Sequence, residues 1–171
     1  MAQAPEEFPD LRWGSPSSPL AKLGHRIAAT SAGSALIRSM VPLDRWVLTK
    51  TKGRFTALGP LGSPLLLLTA TGARSGQPRT TPLIYLVDGQ RILLAGSNFG
   101  GERHPAWSAN LLANPEATVT IGGTEHLVRA TMLEGAERER AYAQFEAAAA
   151  PYRAYKGRTD RTIRVFSLEH R

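Results

Sequence analysis

The chain has 171 residues, 42% of them hydrophobic, and its 21 Lys and Arg outnumber 14 Asp and Glu for a formal charge of +7. That length fits one domain able to bury a real core, and the basic balance favours an anionic partner. Cysteine is absent, which excludes disulfides, thiolate metal sites and a cysteine nucleophile and suits a reducing cytoplasm.

The basic residues punctuate the chain singly or in pairs, unlike the continuous run of a nucleic-acid tail. The longest apolar run, residues 65–68, is far too short to cross a bilayer. Glu6, Glu7 and Asp10 precede no apolar stretch of signal-peptide length, so secretion is not expected.

Residues 1–19 mix Pro5, Pro9, Pro16 and Pro19 with acidic and serine residues, show no period, and read as a poorly ordered lead-in. Leu20, Leu23 and Ile27, then Ala35, Leu36, Ile37 and Met40, give a weak helical pattern interrupted by Gly24 and Gly33. A better helix is predicted to start at Pro42, with Leu43, Trp46, Val47 and Lys50 on one face and Gly53 as its stop. Asp44 near its start and Lys50, Lys52 and Arg54 near its end suit the helix dipole. Two readings of this helix stand: one packed on the domain, or a basic amphipathic segment touching lipid through Trp46 with Arg38, Arg45, Lys50 and Lys52. The expected organisation is an N-terminal extension, 1–41, partly disordered or helical, followed by a single domain, 42–171.

Three strands are predicted next, at 65–71, 80–87 and 91–95. Asp88-Gly89 between the last two is a strong hairpin signal. Residues 105–113 read as a short helix stopped at Asn114-Pro115. A second hairpin, 118–121 and 124–133, turns at Gly122-Gly123 and carries β-branched residues in both arms. Residues 137–150 form a helix with Tyr142, Phe145 and Ala149 on one stripe, broken at Pro151. A basic-aromatic segment (152–158) and a final strand (163–168) complete the chain. Tightly connected strands must be antiparallel. The expected class is therefore mainly β with helices: an antiparallel barrel of about six strands with helices over its openings.

Two loops carry the candidate chemistry. In the first, Gly72 and Gly76 free backbone N–H groups, Ser75 adds a hydroxyl, and Arg74 and Arg79 add planar donors, the parts of a phosphate or carboxylate site or of a plain solvated loop. It lacks the spacing of a Walker loop. The second, residues 96–104, holds Ser97, Asn98, Gly100, Gly101 and Arg103 and leads into a helix N-terminus, where anions bind. In such a barrel, loops leaving the first and third strands meet at one rim. The four histidines are scattered, no His-Glu-x-x-His or Gly-x-Ser-x-Gly occurs, and no carboxylates pair in the loops, so neither a metal nor a nucleophile is expected. A cofactor would then carry the hard step. Trp107 and Asn110 either face a pocket or anchor their helix, and Tyr152 and Tyr155 either line a pocket or pack beneath a helix end.

Several segments, in order, resemble the deazaflavin (coenzyme F420)-dependent nitroreductase and quinone reductase family of actinobacteria. They are LLLLTATGARSGQPRTTPLIYL, the Asp-Gly hairpin, SNFGGERHPAWSANLLANP and PYRAYKGRTDRTIRV, and the likeness covers roughly residues 42–168. The resemblance implies a split β-barrel of the FMN-binding-oxidase type with reduced coenzyme F420 in a groove. Family cofactor contacts carried onto this chain fall at Ala73, Arg74 and Ser75, and at Arg79, Thr80, Thr81, Pro82, Leu83 and Ile84. Others fall at Ala95, Gly96, Ser97 and Asn98, at Ala106, Trp107, Ser108, Ala109 and Asn110, and at Tyr152. Arg74 and Arg79 would meet the phosphodiester and oligoglutamate tail, while Ser97, Tyr152 and Tyr155 would stand near the acceptor. Asn98 replaces a lysine and Ala149 an aromatic found in some members, which removes one cationic contact and alters the acceptor pocket.

The implied reaction is hydride transfer from C5 of the reduced deazaflavin to a quinone, nitro compound or other electron-poor acceptor, with Tyr152, Tyr155 or Ser97 bonding the acceptor oxygen. The expected partners are that small molecule and no nucleic acid, with peripheral membrane contact through the N-terminal segment left open. A cytoplasmic monomer or homodimer is expected. A non-catalytic F420 carrier and an FMN-using oxidase of the same barrel type are the competing readings.

Overall fold

The computed structural model describes residues 7–12, 15, 18–52, 54–56 and 62–171. Six strands close into a barrel: β1 (Leu65–Thr71), β2 (Pro78–Asp88), β3 (Arg91–Ala95), β4 (Glu116–Ile121), β5 (Thr124–Leu133) and β6 (Val165–His170). Their order is β1-β2-β3-β6-β5-β4, β4 returns to β1, and every pairing is antiparallel. This is the barrel class expected from the sequence. The bounds of β1, β3 and β5 match the predicted ones, whereas β2 and β4 each begin two residues earlier and β6 starts at Val165 rather than residue 163.

Side-chain alternation decides which strands need cover. Along β5, His126, Val128 and Ala130 are buried while Leu127 and Arg129 between them are exposed. On β3, Ile92 and Leu94 enter the barrel core, but Leu93 lies in a second cluster outside it with Tyr142, Phe145, Tyr152 and Val165. That cluster is roofed by α4 (Gly135–Ala148) and α5 (Pro151–Lys156). A strand buried on both faces reads as an unbroken apolar run, as residues 92–94 do. Pro151 ends one helix and begins the next, because its fixed φ and missing N–H suit a first helical position.

The two barrel ends are closed differently. Trp107 and Leu111 of α3 (Ala106–Ala113) join the core where β6 begins, Trp107 lying 5.5 Å from the Phe166 ring. Phe8 covers the other end, stacked on His170 at 4.0 Å and only 4% exposed. The expected disordered lead-in is therefore corrected for its described part. The Pro9 carbonyl accepts from the Tyr85 hydroxyl (2.5 Å), that oxygen accepts from the Leu11 N–H (3.0 Å), and Arg12 bridges to Pro64. Burial pushes the Tyr85 hydroxyl up to about 12, so it stays protonated and tied to this strap.

The N-terminal helices also differ from expectation. α1 (Pro19–Ala28) is capped by Ser18, and α2 (Ser31–Lys50) is capped by Thr30. α2 thus begins at Ser31 and runs through Pro42, which was expected to start it, so the predicted boundary between residues 41 and 42 falls inside one helix. Its buried face, Ser34, Asp44 and Leu48 with half-buried Ile37 and Val41, holds a helical period across the proline. Gly33 makes the α1–α2 corner: a Cβ there would lie 1.9 Å from the Ile27 carbonyl oxygen. The helix stop expected at Gly53 lies outside the described residues.

Phe8→Ala is expected to cost about 3 kcal/mol and lower Tm by roughly 6–12 °C in a thermal melt. An unchanged Tm would show that the strap contributes nothing to the fold.

Candidate active site

A cavity of about 430 Å³ lies between the barrel and the helices. Thr81, Pro82, Leu83 and Ile84 of β2 and Ala95 of β3 form its floor, Ser97, Asn98 and Trp107 one end, and Tyr152 and Tyr155 of α5 another wall. These ten predicted site residues are thus brought together. The remaining wall was not foreseen: His25 and Ala28 of α1, and Ile37, Arg38, Val41 and Arg45 of α2. Only the helical period of α2 could have signalled it, and splitting that period at Pro42 hid it.

The other predicted cofactor residues lie outside the cavity. Ala73, Arg74 and Ser75 sit exposed on the β1–β2 loop, which is closed by bonds from Gly76 N–H to the Gly72 carbonyl (2.8 Å) and from Gly72 N–H to the Gln77 carbonyl (2.9 Å). The Ser75 hydroxyl accepts from the Gln77 N–H (3.3 Å). Ala73 N–H donates to Asn110 Oδ1 (3.0 Å), which fastens this loop to α3 beside exposed Ala106 and Ala109. The two loops do meet at one rim. Arg79 is exposed on β2, and neither it nor Arg74 has an ion pair among the described residues. Thr80 instead pairs its hydroxyl with Thr69 across the strands (2.9 Å). Ser108 is fully buried, donating to the Pro105 carbonyl (2.8 Å) and accepting from Arg164 (3.3 Å).

The 96–104 loop is shaped by Arg161. Its guanidinium donates to the carbonyls of Gly101 (2.9 Å), Gly96 (3.1 Å) and Ser97 (2.7 Å) and lies 3.1 Å from His104 Nδ1. Burial and the nearby Arg164 and Arg161 charges hold His104 below its usual range, so its ring is neutral and Nδ1 can accept. Asn98, Phe99 and Gly100 all have positive φ (47°, 55° and 77°), a costly backbone for the first two. At Gly100 a Cβ would approach the Arg158 side chain to 2.9 Å and the Tyr155 carbonyl oxygen to 3.0 Å. Arg158 in turn donates to Ser34 Oγ (2.9 Å) and to the Ala29 carbonyl, fixing the α1–α2 corner against α5. Neither arginine was foreseen: Arg158 ends the predicted basic-aromatic segment and Arg161 falls in the PYRAYKGRTDRTIRV stretch, and no role was read for either.

The aromatic wall is buried. Tyr152 packs 5.0 Å from Phe145 and 5.7 Å from Tyr155, and its carbonyl accepts from the Tyr142 hydroxyl (2.8 Å). Burial raises both Tyr152 and Tyr155 above the usual phenol range. Both are therefore protonated at neutral pH, able to donate a hydrogen bond and unsuited to act as bases.

A floor of apolar strand residues, a protonated aromatic wall and an adjoining exposed shelf of unpaired arginines suit a planar cofactor with an anionic tail. The family model for F420H(2)-dependent quinone reductase matches residues 42–170. The chain belongs to the F420H(2)-dependent quinone reductase family. As a member it is an oxidoreductase whose cofactor is reduced coenzyme F420. It is 37% identical over 126 residues to the F420H(2)-dependent quinone reductase of Mycobacterium tuberculosis (strain ATCC 25618 / H37Rv), covering 71% of this chain and 83% of that one. A solved F420-H2 dependent reductase, FDR-A, is 37% identical with a TM-score of 0.57, covering 62% of this chain and 94% of its own. A structure described as a domain-swapped dimer is 35% identical with a TM-score of 0.58, covering 75% and 99%.

For this reductase, Arg161→Gln leaves the Gly96 and Gly101 carbonyls without their guanidinium donor, while the Ser97 carbonyl keeps the Gly100 N–H (3.0 Å). It is expected to cost about 2–4 kcal/mol, read as a lower Tm, and to weaken F420 binding about tenfold or more by fluorescence titration. Wild-type affinity in a folded Arg161→Gln protein would mean that the loop's shape does not govern the cofactor site.

Proposed function

We propose that this chain reduces quinones with hydride from F420H2, holding the deazaflavin ring in the 430 Å³ cavity and its anionic tail on the shelf of Arg74 and Arg79. The observation that carries this reading is the join between the two: the Ala73 N–H to Asn110 bond fastens the shelf to the helix that contributes Trp107 to the cavity. The residues present fit the cofactor. Pro82, Leu83, Ile84 and Trp107 offer apolar faces to a flat ring, and two unpaired guanidinium groups offer bidentate donors to phosphate and carboxylate.

When bound, the cofactor supplies the hydride; a quinone that accepts it needs one proton besides to become a hydroquinone. The chain's own residues orient and exclude water. Tyr152 and Tyr155 keep their protons and donate hydrogen bonds toward an acceptor oxygen on which charge develops, with Ser97 at the end of the same cavity. Nitro compounds share the flat shape and terminal oxygens and form a second acceptor class within this reading. The carrier reading is disfavoured by a cavity with donor-bearing walls on the side away from the tail shelf.

We also propose that the α1–α2 face meets an anionic membrane surface as a peripheral contact. Leu20, Leu23, Ile27, Leu36, Leu43 and Trp46 are exposed there among Lys22, Arg26, Arg45 and Lys50, and the one acidic residue of these helices, Asp44, is buried. No helix among the described residues is long and apolar enough to cross a membrane. Such contact would bring a lipid-dissolved quinone to the cavity wall that these helices form.

The protein mixed with F420H2 and menadione should reoxidise the cofactor well above a protein-free control; no excess rate would refute the assignment. Arg79→Ala should raise the F420 Kd about three- to tenfold at unchanged Tm, and Tyr155→Phe should lower kcat/KM for menadione about tenfold while leaving F420 affinity alone.

A further inference from the structure

We propose that His25 of α1 is the hydrogen-bond donor that recognises the acceptor oxygen from the wall opposite the barrel. This rests on the proposed function, in which the quinone meets the deazaflavin ring at the tyrosine side of the cavity.

The inward face of α1 carries Ala21, Gly24, His25 and Ala28, at helical spacing, whereas Leu20, Leu23 and Ile27 point outward. His25 is the one polar side chain on that inward face, and it lines the cavity together with Ala28, Tyr152 and Tyr155. Its Nε2 is buried and has no hydrogen-bond partner among the described residues. Buried polar side chains are nearly always partnered, so an unpartnered ring nitrogen on a cavity wall points to a partner that a ligand brings. Several other polar groups of the walls are engaged within the protein: Asp44 accepts from the Thr56 hydroxyl (2.7 Å), Asn98 Nδ2 donates to the Arg103 carbonyl (2.9 Å), and the Ser97 carbonyl is taken by Arg161.

His25 is also held in place. Ser34 Oγ donates to the Ala28 carbonyl (2.7 Å), Arg158 donates to Ser34 and to the Ala29 carbonyl, and Gly33 lets the α1–α2 corner close against Ile27. A donor on so fixed a corner selects by position as well as by chemistry. The corner packs against α5, the helix that carries Tyr152 and Tyr155 into the cavity wall. That placement assigns His25 to the acceptor and not to the cofactor tail. His25 precedes the segment that matches the family model, residues 42–170.

A quinone carbonyl is an acceptor only, so the proposal needs the imidazole N–H and no change of charge. Phenylalanine at position 25 keeps an aromatic ring and removes the N–H, and glutamine returns an N–H of similar reach. Menadione is titrated calorimetrically into wild-type, His25→Phe and His25→Gln proteins carrying oxidised F420, and F420 itself is titrated by fluorescence. We expect menadione affinity to fall about tenfold in His25→Phe and to return to within about threefold of wild type in His25→Gln. F420 affinity and Tm should stay unchanged in both. In turnover, His25→Phe should raise KM for menadione more than it lowers kcat.

Equal menadione binding by wild type and a folded His25→Phe overturns the proposal, as does failure of His25→Gln to recover while its F420 affinity is intact. Loss of F420 binding in both variants would assign His25 to cofactor packing and overturn it likewise. A wild-type protein that binds menadione through His25 but never oxidises F420H2 would instead sink the proposed function.

Discussion

Two guanidinium groups three residues apart hold the site together. Arg161 donates to three carbonyls of the 96–101 loop, and Arg158 ties the α1–α2 corner to α5. The loop satisfies only part of itself, with Gly100 N–H bonded to the Ser97 carbonyl and Gly101 N–H to the Asn98 carbonyl, and a buried carbonyl left alone costs about 1–3 kcal/mol. Arg161 supplies the donors, and Gly100 lets the loop press against Tyr155 and Arg158 without a Cβ in the way. The cavity end and its helical wall are thus set by residues of one short segment, 157–162, that lies between α5 and β6.

Burial then sets the chemistry. The phenols of Tyr152 and Tyr155 are raised and stay protonated, and His104 is held neutral beside two arginines. No group on the wall is arranged as a nucleophile or a strong base, which suits a reaction whose electrons come from a bound cofactor. The unpaired Arg74 and Arg79 lie outside the cavity, on and beside the loop that Asn110 fastens to α3, while Arg38 and Arg45 line the α2 wall. In the proposed reading, ring space and cationic tail space are adjacent, and one helix joins them.

The barrel was legible because its signals are local. Asp88-Gly89 and Gly122-Gly123 mark hairpin turns, β-branched alternation marks β4 and β5, and tight connections leave only antiparallel pairing. Those rules also placed the two loops at one rim. The rest needed tertiary information. Phe8 is the one buried side chain among the described residues 7–12 of the strap, and a single residue has no period to read. Pro42 looks like a helix start and is instead accommodated within α2, whose inward face continues past it. Arg158 and Arg161 carry no role in the sequence until the structure sets their donors against backbone carbonyls. His25 read as one of four scattered histidines until α1 turned it inward.

In the proposed function the cavity takes the deazaflavin ring while Arg74 and Arg79 take its anionic tail. The most direct measurement is a pair of fluorescence titrations, one with F420 and one with the same deazaflavin stripped of its phosphodiester and glutamates. The wild-type protein should prefer intact F420 by about tenfold or more, with a preference that shrinks as salt rises, and the Arg74→Ala, Arg79→Ala double variant should lose it. Equal affinity of the wild-type protein for both ligands would contradict the account.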